Sequence, residues 1–112
     1  MAVDAGHPPF QRRPPLTVER RFQGSVFDVA DARRFARMTA SWWGIEPGPV
    51  EQVVDELSRR AVCSERPGFC VSLTLDGGDV RVRVVEVEPG APVPEDPSQI
   101  RTVHRDSQGP RR

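Results

Sequence analysis

The chain contains no lysine and no asparagine; its sixteen basic residues are all arginine, and sixteen Asp and Glu balance them. The formal net charge is +0, so no bulk field draws the protein to nucleic acid or to an anionic membrane surface. The arginines come in pairs spread along the chain, Arg12-Arg13, Arg20-Arg21, Arg33-Arg34, Arg59-Arg60 and Arg111-Arg112, and sit among acids rather than in one block. That dispersion argues against a nucleic-acid patch. No apolar run is long enough to cross a bilayer. Pro8, Pro9, Pro14 and Pro15 interrupt the stretch where the apolar core of a signal peptide would lie. The expected location is therefore the cytoplasm, where Cys63 and Cys70 are expected as reduced thiols in or near the core. His7 and His104 fall in tail segments, so no zinc site, and no other metal site, is expected.

What is present points to a single small domain. Of the twelve prolines only Pro47, Pro49 and Pro67 lie within residues 17–88. Residues 1–16 are rich in proline and polar side chains and bury too little apolar surface to order themselves, so they are expected as a disordered arm. From Pro89 on, Pro92, Pro94 and Pro97 impose an extended path, and beyond them Ile100 and Val103 are the only apolar anchors. Residues 93–112 are accordingly expected as a disordered tail. The foldable part is roughly 70 residues within 17–92, near the small end for a self-sufficient core. There is no internal repeat.

Within that part the periodicities are clear. Leu16, Val18, Arg20 and Phe22 alternate weakly with polar residues, which predicts an edge strand. Ser25 and Asp28 read as a capping box for a helix over 26–43, with Asp28 and Asp31 favourable near its N-terminus. Val29, Ala32, Ala36, Thr39 and Trp43 form one helical stripe, and Phe35, Met38 and Trp42 are expected to widen it. Adjacent Trp42 and Trp43 cannot both point inward, so one is expected to pack at the helix end and the other to be partly exposed. Gly44 is expected as the C-cap. Pro47 and Pro49 open a second helix, whose buried face is Val50, Val53, Val54, Leu57 and Ala61; Pro67 and Gly68 break it. Phe69, Val71, Leu73 and Leu75 alternate with Cys70, Ser72 and Thr74 as a half-buried strand. Asp76-Gly-Gly-Asp79 is a hairpin turn, and Val80, Val82 and Val84 alternate with Arg81 and Arg83 on the return strand. Val85 and Val87 break that phase, which predicts a bulge or the end of regular pairing there. The order β-α-α-β-β reads as an α+β sandwich with helices on one sheet face.

The second helix carries Glu56-Leu-Ser-Arg-Arg60-Ala-Val-Cys-Ser64, and the first carries Ala32-Arg-Arg-Phe35 and ends near Trp43-Gly44. With the return strand Val80-Arg-Val-Arg-Val-Val-Glu86, these segments resemble the anti-sigma serine kinases of bacteria, in the gyrase, histidine kinase and MutL ATPase superfamily. The resemblance covers residues 18–92, the first half of that family's ATPase fold. It implies a two-layer α+β sandwich of a mostly antiparallel sheet with helices on one face, a truncated form of the histidine-kinase-like ATPase fold. It implies Glu56 as a general base that activates the hydroxyl receiving the γ-phosphate. Glu86 is placed where the family has the Asp that accepts the adenine amino group; Glu88-Pro-Gly90 offers a second register. Pro89 and Pro92 match prolines often found there.

Three departures stand against the family pattern. Arg60 occupies the place of the Asn that holds Mg²⁺, and a guanidinium has no lone pair to offer, so no Mg²⁺ is expected. Ser64 stands where relatives often have His. The chain as given has no Gly-rich segment after its last strand to close over phosphates, Ser107-Gln-Gly-Pro110 being too poor a copy, and so nothing obvious cradles a triphosphate. ATP is thus implied by the resemblance and weakened by the departures. If ATP binds, Arg60, Glu86 and Glu88 are the expected contacts, Arg60 replacing the metal's charge on phosphate. The plainer alternatives are a Glu56 paired with Arg59 or Arg60 on a solvated helix face, a surface Arg60, and a Glu86 facing solvent at a strand end.

Arg33 and Arg37 are four apart, with Arg34 beside them, and are expected to point away from the apolar stripe. In the family this helix helps dock the sigma factor or the anti-sigma antagonist, so Arg33, Arg34 and Arg37 are the expected partner-binding residues; the alternative is a solvated face with Asp31–Arg34 pairing. The expected function is a regulatory protein of the anti-sigma type acting by protein–protein binding, with nucleotide binding weakened or lost. The alternatives are an active ATP-binding serine/threonine kinase that phosphorylates an anti-sigma antagonist, and a decayed reading frame without a partner. An open sheet edge adds the expectation of a homodimer.

Overall fold

A computed structural model of the chain describes residues 14–63, 68–94 and 100–104. Residues 1–13, 64–67 (Ser64 and Pro67 among them), 95–99 and 105–112, with the 107–110 segment, lie outside the described residues. The elements run β1 (Leu16–Phe22), α1 (Val26–Trp42), α2 (Pro47–Val62), β2 (Phe69–Asp76), β3 (Asp79–Glu86) and β4 (Ile100–Val103). The four strands form one sheet in the order β1-β2-β3-β4, and every neighbouring pair is antiparallel. The fold is a small α+β sandwich, and β1 is an edge strand as its weak alternation predicts.

Both helices begin where the sequence predicts, but α1 is capped by Trp43 rather than by Gly44, and α2 ends at Val62, before the expected break at Pro67-Gly68. At the start of α1 the Ser25 N–H and Oγ both donate to Asp28 Oδ2, at 2.9 and 3.0 Å, so the carboxylate satisfies a donor the first turn leaves open. Trp43 takes the C-cap and Gly44 the next position. In α2 the prolines sit in the first turn, and Arg59 and Arg60 lie in the last, complementing the helix dipole.

Packing follows from side-chain size. Ala32, Ala36 and Ala40 are buried on α1, and this stripe of small residues lets α2 approach closely. Against it α2 sets Val50, Val54, Leu57 and Ala61, which join Phe69, Val71, Leu73, Val80, Val82 and Val84 of the sheet in one core. The strand registers place those sheet residues, with Phe22 and Val103, on one face. Phe22 ties α1 to that layer, edge-on to Phe35 at 6.3 Å and stacked on Phe69 at 5.2 Å. The expectation that Met38 and Trp42 widen the buried stripe is overturned: they are 65% and 85% exposed. The alanine side of α1 took the contact with α2, leaving the two large residues outside. Trp43 does pack against the core, so the two tryptophans divide as predicted.

Four other expectations meet the structure. The β2–β3 pairing runs without interruption from Asp76↔Asp79 to Phe69↔Glu86, so there is no bulge at Val85. That residue turns to the sheet's other face opposite Cys70, where both are buried, and pairing ends at Glu86. The hairpin uses two positive-φ glycines, Gly77 at 66° and Gly78 at 94°, which matches the twist of the flanking strands. Residues 93–112 are not structureless throughout. Ile100–Val103 pairs with β3, Val103 opposite Val80, because the tail's two apolar residues have an unpaired ladder beside them. Finally, Cys70 is buried but Cys63, just past the end of α2, is exposed.

Candidate functional site

The residues singled out from the sequence separate into three places. Glu56 lies on the exposed side of α2, one turn before Arg60, and the Arg60 guanidinium donates to its Oε2 at 2.9 Å. A second cation reaches it from the sheet: Arg101 of β4 donates to Oε2 at 3.1 Å and to Oε1 at 3.5 Å. The β4 register explains the reach, because Arg101 stands opposite Val82 on the helix-facing side. Arg101, through its hydrogen bond and its charge, with Arg60 adding to it, holds the Glu56 carboxyl below its ordinary value. The carboxylate is therefore a fixed anion between two guanidinium groups. Arg60 makes the i,i+4 pair that the plainer reading anticipates. Arg59 pairs instead with Asp55, at 3.0 Å.

Glu86 and Glu88 are exposed at the far end of β3. They border a cleft of about 390 Å³ lined also by Val87 and Ala91–Pro94; neither Glu56 nor Arg60 lines it. The backbone beyond β3 is held there by Val87 N–H donating to Gly68 O at 2.9 Å and by Arg83 donating to the Pro94 carbonyl. Gly68 is required at that crossing, since a Cβ would lie 2.6 Å from Val87 O and 3.0 Å from Phe22 O.

The arginines of α1 do not form one face. Arg33 reaches across to α2, 3.4 Å from Glu51 and 3.8 Å from Asp55, so it bridges the helices rather than pointing away from them. Arg34 pairs with Asp31 at 2.9 Å. Arg34 and Arg37 line a groove of about 720 Å³ with Arg20 of β1, and its apolar wall is Phe35, Met38 and Trp42. Arg20 stands 5.4 Å from the Phe22 ring, a cation–π arrangement. Arg37 has no ion-pair partner among the described residues.

Two polar atoms in α2 are buried without a hydrogen-bond partner among the described residues, Asp55 Oδ1 and Ser58 Oγ. Arg33 lies near the first; Ser58, 0% exposed, has nothing comparable. Among the described residues no cluster of three or more His, Cys, Asp and Glu could hold a metal ion, and no helix is long and apolar enough to cross a membrane. On the sheet's other face, burial and the nearby Glu19 charge push the Cys70 thiol up.

Sequence reasoning missed Arg101, whose only signal was its place between Ile100 and Val103. It missed Arg20 as a groove residue and took Met38 and Trp42 for core. No family model matches the chain, and no curated protein does either.

Proposed function

We infer that this chain is a regulatory protein that works by binding another protein, of the anti-sigma type its helix motifs resemble, with nucleotide handling weakened or lost. The observation that carries the reading is the state of Glu56. A general base works best with its pKa near the operating pH, whereas Arg101 and Arg60 hold this carboxyl below its ordinary value. Its Oε2 accepts from the same two cations. Arg60 supports the reading a second time, because a guanidinium cannot ligate Mg²⁺ and this one is committed to Glu56. The adenine-side candidates, Glu86 and Glu88, border a cleft that neither Glu56 nor Arg60 lines. What α1 offers a partner is the groove with Arg34, Arg37, Met38 and Trp42. Large apolar side chains left in water beside a groove are a common mark of a docking surface.

The test is complex formation with purified bacterial sigma factors and anti-sigma antagonists, followed by titration calorimetry with and without Mg·ATP. The reading expects a complex whose affinity is indifferent to ATP. A complex that forms only with ATP would overturn the loss of nucleotide handling, and a phosphoserine appearing on the antagonist would establish the serine kinase instead.

A further inference from the structure

The groove between α1 and β1 has chemistry specific enough to name its occupant. We propose that it takes an extended protein segment that adds to the sheet along β1 and turns acidic and apolar side chains together toward α1. This rests on the protein-binding reading above and names the partner's chemistry.

Three observations converge. First, β1 ends the strand order and pairs with β2 over all seven of its residues; among the described residues no strand pairs with its outer side. Among the described residues that side is a row of open N–H and C=O groups, a template for an incoming strand. Second, the wall above it is apolar and in water. Phe35, Met38 and Trp42 recur at i, i+3 and i+7 on α1, with Met38 65% and Trp42 85% exposed. Third, the groove carries excess positive charge. Its lining includes Arg20, Arg34 and Arg37 against Asp31 alone, and Asp31 is taken by Arg34 at 2.9 Å. Arg20 and Arg37 are left to meet carboxylates, which guanidinium groups hold by paired hydrogen bonds.

The charge decides between occupants. The chain's own ends are basic: residues 1–13 hold Asp4 against Arg12 and Arg13, and residues 105–112 hold Asp106 against Arg105, Arg111 and Arg112. A second copy docked about a two-fold axis would set the same patch against itself, arginine facing arginine. A foreign acidic segment meets neither objection. Along an extended chain residues i, i+2 and i+4 share a face, so the recognised pattern is an acidic residue two positions from an aliphatic or aromatic one.

The experiment selects random displayed 12-residue peptides on the immobilised full chain, counter-selects on Trp42→Ala, and measures the selected peptides by fluorescence anisotropy. The proposal expects Asp or Glu two residues from Leu, Ile, Val or Phe. Trp42→Ala, or Arg20→Glu with Arg37→Glu, should weaken binding about tenfold or more, with melting curves that stay cooperative because these side chains are exposed. N-methylation of alternate peptide amides should abolish binding. Trp42-dependent peptides without an acidic bias would overturn the chemistry named here and leave the protein-binding reading standing; insensitivity to N-methylation would overturn strand addition. If no Trp42-dependent peptide emerges, the proposal falls, and the protein-binding reading is decided separately by the complexes with sigma factors and antagonists. A dimer mass in light scattering that Trp42→Ala abolishes would make a second copy the occupant and overturn the proposal.

Discussion

Ser58→Ala should stabilise the protein, although it deletes a polar group from the middle of a helix. Ser58 is 0% exposed and its Oγ has no hydrogen-bond partner among the described residues. Folding strips water from that hydroxyl and returns nothing, a penalty of about 1–3 kcal/mol. Alanine is also the better helix former, by up to about 0.7 kcal/mol. Against these stands the void left by one oxygen, which at ~24 cal/mol per Å³ costs less than about 0.5 kcal/mol. The balance favours alanine by about 1–2 kcal/mol. In a domain this small each kcal/mol moves Tm by about 4–8 °C, so thermal unfolding followed by circular dichroism should show a rise of at least several degrees. Urea midpoints should move the same way with an unchanged slope. A fall in Tm would refute the reasoning, because it would mean that the hydroxyl is satisfied in the folded protein by a bound water or ligand. In that event α2 would hold a polar site beside Glu56 and Leu57 that deserves a search of its own.

Other consequences can be measured on the same instruments. Gly68→Ala should destabilise by about 1–3 kcal/mol in a urea titration, because its Cβ would meet two backbone carbonyls; an unchanged midpoint would mean that the β3 exit does not cross there. Val103→Ala should cost about 1.5–3 kcal/mol, since Val103 is 6% exposed and belongs to the core, whereas a frayed tail would tolerate it silently. Glu56 has a lowered pKa, so its ion pairs support the fold above the unfolded carboxyl's pKa and lose that support as pH falls through the folded one. The Tm gap between the native chain and Glu56→Gln should therefore be present at pH 7 and shrink below about pH 4; a gap that grows on acidification would contradict the pairing. Ellman's reagent should modify Cys63 at once and Cys70 only on unfolding, given their exposed and buried positions; two equally fast thiols would show that the sheet's other face is open.

The parts of the fold that could be read from sequence are those where one local rule acts alone. The Asp76-Gly-Gly-Asp79 turn, the Ser25/Asp28 cap and the alternation of β2 and β3 needed no tertiary information. The helical stripes were legible in phase but not in width. Phe35, Met38 and Trp42 are as apolar as a core residue must be, and only the placement of α2 on the alanine side of α1 decides that two of them stay in water. β4 was illegible because four residues with two apolar anchors, set off by a proline-rich stretch, carry no period of their own; the open ladder of β3 recruits them. The site followed the same logic. The Glu56–Arg60 and Asp31–Arg34 pairs are one helical turn apart and can be read from spacing. Arg101 meets Glu56 from 45 residues away, and Arg33 is drawn out of the expected partner-binding face by acids on α2.

The most direct test of the central claim, that Glu56 and Arg60 form a structural ion pair rather than a working nucleotide site, is a thermal-melt titration of the native chain and Arg60→Asn with ATP, with and without Mg²⁺. A ligand at a hundred times its Kd stabilises by about 2.7 kcal/mol, which here is a shift of about 10 °C or more. The account predicts no shift in the native chain at millimolar ATP, with or without the metal. A saturable, ATP-dependent rise in the native Tm would contradict it and make Arg60 a phosphate ligand.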